Sequence, residues 1–141
     1  MHAPSLRTMP PALSPTTTVI VEDNPALLEL LKGMLEGIDG ITVVGTAAGE
    51  TEAISLIRSL RPQLAIVDLE LRTGTGLKVL SAIQGMSGGL GTTRAVVFSN
   101  HAHPVVRARC LALGAAAFFD KSFQMDEMLE FVQGLSGSPA A

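Results

Sequence analysis

The sequence has no tryptophan and no tyrosine, and its only aromatic side chains are five phenylalanines. A flat cofactor ring sandwiched between large aromatic faces is therefore a poor expectation. Cys110 is the single cysteine, which excludes an internal disulfide and a cysteine-based zinc site and suits a reducing compartment. No apolar run approaches the roughly 20 residues that a membrane-spanning helix requires. The basic surplus of a nucleic-acid binder is also missing: ten Lys and Arg are scattered among thirteen Asp and Glu, for a formal net charge of −3. The N-terminal stretch carries Pro4, Pro10, Pro11 and Pro15 and lacks the uninterrupted apolar segment of a signal peptide, so residues 1–16 read as a loose tail. These absences together lead us to expect a soluble, cytoplasmic protein with no direct nucleic-acid or membrane partner.

What is present suffices for one domain. The chain has 141 residues, of which 47% are hydrophobic, enough to bury a core. Thr18 to Val21 is a β-branched run ending in the polar Glu22-Asp23-Asn24-Pro25, as a buried strand ends in a loop. Leu27, Leu30, Leu31, Met34 and Leu35 then recur at helical spacing, with Pro25 at the start and Gly37 and Gly40 after the end. The alternation continues with a strand over Ile41 to Gly45, a helix stopped by Pro62, a strand over Leu64 to Leu69 and a helix through Leu77, Leu80 and Ile83. A flexible loop over Gly85 to Gly91 follows, then a strand over Ala95 to Phe98, a helix over Pro104 to Leu113, a strand over Ala115 to Phe119 and a last helix to Leu135. Residues 136–141 form a small-residue tail. Five strands alternating with five helices, the strands apolar on both faces, predict an α/β fold: a doubly wound parallel sheet.

Sheets of this kind carry their sites beyond the carboxyl ends of the strands. Here the first strand ends in Glu22 and Asp23, the third in Asp68, the fourth in Ser99-Asn100 and the fifth in Asp120-Lys121. In the flavodoxin-like order 2-1-3-4-5 these groups converge on one rim. Crowded carboxylates stay ionised together most easily around a divalent cation, and an all-oxygen set suits Mg²⁺. An aspartate beside such a cation can attack a phosphoryl group to give an acyl phosphate, with an ammonium and a hydroxyl balancing the phosphoryl oxygens. Asp68, Lys121 and Ser99 are the candidates for those roles. The loop Thr73-Gly74-Thr75-Gly76 does not complete a nucleotide fingerprint: no third glycine follows, and Lys78 lacks the spacing of a P-loop. Its glycines read instead as permitting the turn after Asp68.

In their order and setting these residues resemble the receiver domain of two-component response regulators, of the stand-alone type, over about Thr17 to Leu135. The resemblance matches Glu22 and Asp23 to the family's acidic pair, Asp68 to its phosphoacceptor, Ser99 to its Ser/Thr and Lys121 to its lysine. GAAAFFDKS, residues 114–122, resembles the family's fifth strand and places Phe118 at its switch aromatic. It implies Mg²⁺ held by Glu22, Asp23, Asp68 and the backbone carbonyl of Glu70, with Glu70 and His101 tuning the phosphoryl lifetime. It further implies a histidine kinase or phosphotransfer protein as donor, an unknown downstream protein target, a monomer or homodimer, and self-modification in place of enzymatic turnover. Three positions depart from the family pattern. Arg72 stands where proline is usual, Asn100 where a smaller residue is preferred, and Lys121-Ser122 replaces Lys-Pro, so a trans bond is expected there. Three other readings compete: a receiver-like interaction module independent of phosphorylation, a flavodoxin-like flavin carrier, and a haloacid-dehalogenase-like phosphatase. The last lacks its D-x-D after the first strand. His101 and His103 read as residues of a solvated loop, Phe118 by type as core, and Cys110 as a buried helix residue.

Overall fold

The computed structural model describes residues 15–86 and 93–137. Its parallel strands are β1 (Thr16–Val21), β2 (Ile41–Ala47), β3 (Leu64–Val67), β4 (Arg94–Ser99) and β5 (Ala117–Asp120), in the order β2-β1-β3-β4-β5. Between and after them run α1 (Pro25–Glu36), α2 (Glu50–Leu60), α3 (Gly76–Gly85), α4 (Pro104–Ala112) and α5 (Met125–Gly137). The expected fold class and strand order are both observed. The expected N-terminal tail, Gly-rich loop and C-terminal tail lie largely outside the described residues, although Thr16 already belongs to β1.

The strict alternation of side chains along each strand divides the core in two. Val19, Val21, Ala65, Val67, Ala95 and Val97 point to one face, where Ala53 and Ile57 of α2, Val79, Leu80 and Ile83 of α3 and Cys110 of α4 cover them. Ile20, Leu64, Ile66, Val96 and Phe98 point to the other, against Leu31 and Leu35 of α1 and Met128 and Val132 of α5. Strands buried on both faces cannot show a polar alternation, which is why they read in the sequence as short continuous apolar runs.

β1 starts earlier than expected, at Thr16, β2 runs on to Ala47 and β4 spans Arg94–Ser99, and two further boundary differences shape the loops around the site. β3 stops at Val67, and beyond it the chain turns, with the Gly76 amide donating to the Leu69 carbonyl at 3.0 Å. β5 begins two residues later than the apolar run. Gly114 takes a φ of +95°, and the Ala115 amide turns back to the Cys110 carbonyl at 3.1 Å, so Ala115 closes α4 before the strand starts.

Leu31 is 1% exposed in the α1 layer. Leu31→Ala is expected to lower the free energy of unfolding by about 3 kcal/mol, read from urea denaturation with an unchanged slope.

Candidate functional site

The loop after β1 is shaped by its first helix turn. Asn24, not Glu22 or Asp23, caps α1, its Oδ1 accepting from the Leu27 amide at 3.1 Å ahead of Pro25. The Asn24 amide donates in turn to Glu22 Oε2 at 3.0 Å, which folds the Glu22 carboxylate inward until the residue is 2% exposed. Asp23 remains half-buried beside it. Since β3 lies next to β1, Asp68 arrives beside this pair: one carboxylate oxygen from each of Glu22, Asp23 and Asp68 lies within 4.8 Å of the others. Among the described residues this is the cluster of acidic donors compact enough for one cation. Its all-oxygen chemistry fits a hard divalent ion.

Lys121 reaches the same point from the end of β5. Its Nζ donates to Asp68 Oδ2 at 2.7 Å and lies 2.7 Å from Glu22 Oε1, with only 13% of the side chain exposed. Burial alone would lower the lysine pKa, but the hydrogen bonds to Asp68 and Glu22 outweigh it and the net direction is upward. The Glu22 carboxyl is also raised, chiefly by burial and further by the Asp68 charge, against the opposing pull of Lys121 and the Asn24 amide. One ammonium among three carboxylates leaves a surplus of negative charge at the rim. Ser99, fully buried at the end of β4, accepts the His101 amide on its Oγ at 3.2 Å. Its hydroxyl proton is thereby left for another acceptor.

The glycine loop serves Asp68. Gly74 has a φ of +77°, and a side chain there would strike Glu50. Glu50 instead accepts the Thr75 amide at 2.9 Å, while its own amide donates to the Thr73 carbonyl at 2.9 Å. The Arg72 amide donates to the Ala48 carbonyl at 3.1 Å, a bond that proline could not make. A Cβ on Gly76 would overlap the Asp68 carbonyl, so the start of α3 rests directly on the Asp68 backbone.

The opposite wall is built from residues on β4, α4 and β5. His101 and His103 are both exposed, as expected of a solvated loop. Each also has a partner: Glu70 Oε2 and His101 Nε2 pair at 2.6 Å across the two loops, and His103 caps α4 through Nδ1, which accepts the Val105 amide at 3.1 Å. Phe118 is 5% exposed. The Arg107 guanidinium sits 4.7 Å from its ring centroid and donates to its carbonyl at 3.3 Å. Sequence reasoning missed both Arg107 and Glu50, because each acts through a contact between two elements and carries no local motif. The Lys121-Ser122 bond is trans, as expected without proline.

Family comparison agrees with this geometry. The model of the response regulator receiver domain matches residues 18–133. The chain belongs to this receiver family. The nitrate/nitrite response regulator protein NarL of Escherichia coli K12 is 33% identical over 120 residues, covering 82% of this chain and 52% of NarL. The chain thus spans about half the length of that curated relative. The solved response regulator domain of Thermotoga maritima CheB superposes with a TM-score of 0.76 at 20% identity, over 88% of this chain and 98% of that one. The phosphorylated cyanobacterial phytochrome response regulator RcpA superposes with a TM-score of 0.71 at 25% identity, over 86% of this chain and 91% of that one.

Two outcomes follow from the packing and charge of this site. Gly76→Ala is expected to destabilise the fold by about 1–3 kcal/mol in urea unfolding, because the new methyl must displace the Asp68 backbone. Glu22 has a folded-state pKa above its unfolded one, so its contribution to stability is present below the unfolded value and is lost as pH rises through the folded value. Glu22→Gln is therefore expected to raise the melting midpoint of the metal-free protein at pH 7, and the gain should shrink as pH falls through the raised folded-state value.

Proposed function

We propose that this receiver domain is a phosphorylation-controlled switch in which Asp68 is the phosphoacceptor. The observation that carries the reading is the pairing of Lys121 Nζ with Asp68 Oδ2 at 2.7 Å inside the acidic cluster. A buried carboxylate held by an ammonium is fixed in direction, as a nucleophile must be. In transfer from a phosphohistidine donor, an Asp68 oxygen attacks phosphorus as the P–N bond breaks, and the departing imidazole nitrogen keeps the electron pair. Bound Mg²⁺, held by Asp23, Asp68 and the Glu70 carbonyl with Glu22 alongside, would supply positive charge to the phosphoryl oxygens. Lys121 supplies a second positive charge, and the Ser99 hydroxyl donates to a phosphoryl oxygen once the loop after β4 draws in. That pull biases the loop and Phe118 toward a second arrangement, and the face formed by α4, β5 and α5 presents the change to a protein partner.

In this reading the chain catalyses its own modification and turns over no separate substrate. A histidine kinase or a phosphotransfer protein in the cytoplasm is the donor. Among the described residues no helix is long and apolar enough to cross a membrane. A phosphorylation-independent interaction module is the second reading. The observations that favour it are Phe118, already buried under Arg107, and the contact of Ser122 Oγ with Asn100 Oδ1 at 3.3 Å beside the site.

Incubation with acetyl phosphate, followed by intact-protein mass measurement, separates the two. The switch reading expects one phosphoryl adduct that requires Mg²⁺ and disappears in Asp68→Asn. No adduct from acetyl phosphate or from a phosphorylated kinase would leave the constitutive module.

A further inference from the structure

We infer that Asp120 is a positioning residue that aims Lys121 at Asp68 by closing a side-chain-to-backbone turn around it. Asp120 is the last residue of β5 and is 8% exposed. Among the described residues no cation lies within ion-pair distance of its carboxylate. Its Oδ1 instead accepts the Ser122 amide at 2.7 Å. An aspartate bonded to the amide two residues ahead encloses the intervening residue in a ring, and that residue here is Lys121. The backbone torsions that set the direction of the Lys121 side chain are thereby fixed.

The ring is anchored on both sides. The Asp120 amide donates to Gln124 Oε1 at 2.8 Å, and the Asp120 carbonyl accepts the Gln124 amide at 2.9 Å. The Lys121 amide donates to the Ser99 carbonyl at 3.1 Å, which ties the same turn to the end of β4. The Lys121-Ser122 bond is trans, and the hydrogen-bonded ring does the constraining that a proline ring could otherwise do. This role deepens the switch reading, because Lys121 is the ammonium on which that reading rests. Its test needs neither metal nor phosphoryl donor.

The experiment measures the rate at which an amine-acylating reagent modifies Lys121 in metal-free protein, followed by peptide mass mapping, with thermal unfolding as a check on each variant. In the parent, Lys121 is paired with two carboxylates and should react slowly. Asp120→Asn keeps the acceptor oxygen and loses the charge; Asp120→Glu keeps the charge and lengthens the arm beyond the ring. Labelling of Lys121 is expected to rise about tenfold in Asp120→Ala and in Asp120→Glu, and to stay within about twofold of the parent in Asp120→Asn. Parent-like labelling in Asp120→Glu, or an Asn variant as reactive as the Glu variant, would overturn the proposal. If Asp120→Ala does not fold, the Asn and Glu variants decide between geometry and charge alone. Failure of the parent to accept a phosphoryl group would count against the switch reading and leave this labelling result intact.

Discussion

The bridge from Lys121 to Glu22 and Asp68 is the interaction on which the rest of the rim depends. Two buried carboxylates at the ends of neighbouring strands repel each other, and each has lost the water that would hydrate it. A single ammonium at 2.7 Å from both offsets that cost. Strand order makes the bridge possible: β1 and β3 are adjacent, β4 follows with Ser99 at its tip, and β5 stands one strand further out. The lysine must therefore reach across the end of β4, which its four-carbon stem allows and a shorter side chain would not.

The two walls around Asp68 are held unequally. On the side of β2 and α2, Glu50 and the backbone from Arg72 to Gly76 are knitted by hydrogen bonds, and α3 begins in contact with the Asp68 carbonyl. The loop after β4 is held by fewer ties, and two of them lie at the surface: the Glu70–His101 pair, whose side chains are half-exposed or more, and the Asn100–Ser122 hydrogen bond. A hollow of about 190 Å³ lined by residues that include Leu69, Leu77 and Val106 borders the same pair. In the proposed switch, these weak exposed ties beside open space make this loop the element that changes arrangement, with the more heavily tied wall carrying Asp68 as its fixed frame. That division suits the switch proposed above, in which Asp68 is held still while the loop after β4 responds.

Much of this was legible in the chain. The apolar runs and helical periodicities place every strand and helix, since the inner strands are buried on both faces and each helix on one. The strand-end residues Glu22, Asp23, Asp68, Ser99 and Lys121 could be read as one site because a doubly wound sheet brings its carboxyl ends together. What escaped notice depends on torsions and on contacts remote in sequence. Ala115 looks like strand but closes α4, because Gly114 before it turns the chain back. Asn24 caps α1, which leaves the Glu22 and Asp23 carboxylates to the cluster. Arg107 over Phe118 joins a helix to a strand and has no local motif. Asp120 had a visible signal, an aspartate two residues before a serine where proline is usual, but its meaning emerges only with the ring it closes.

The most direct test of Asp68 as phosphoacceptor is chemical trapping in the unaltered protein. Borohydride reduction of an aspartyl phosphate converts that residue to homoserine, so peptide mapping after exposure to a phosphoryl donor and Mg²⁺ locates the modified carboxylate. Homoserine at position 68 alone is the expected result. Homoserine at 23, 2-amino-5-hydroxyvalerate at 22, or no reduced residue from any donor including a phosphorylated kinase, would contradict the role assigned to Asp68.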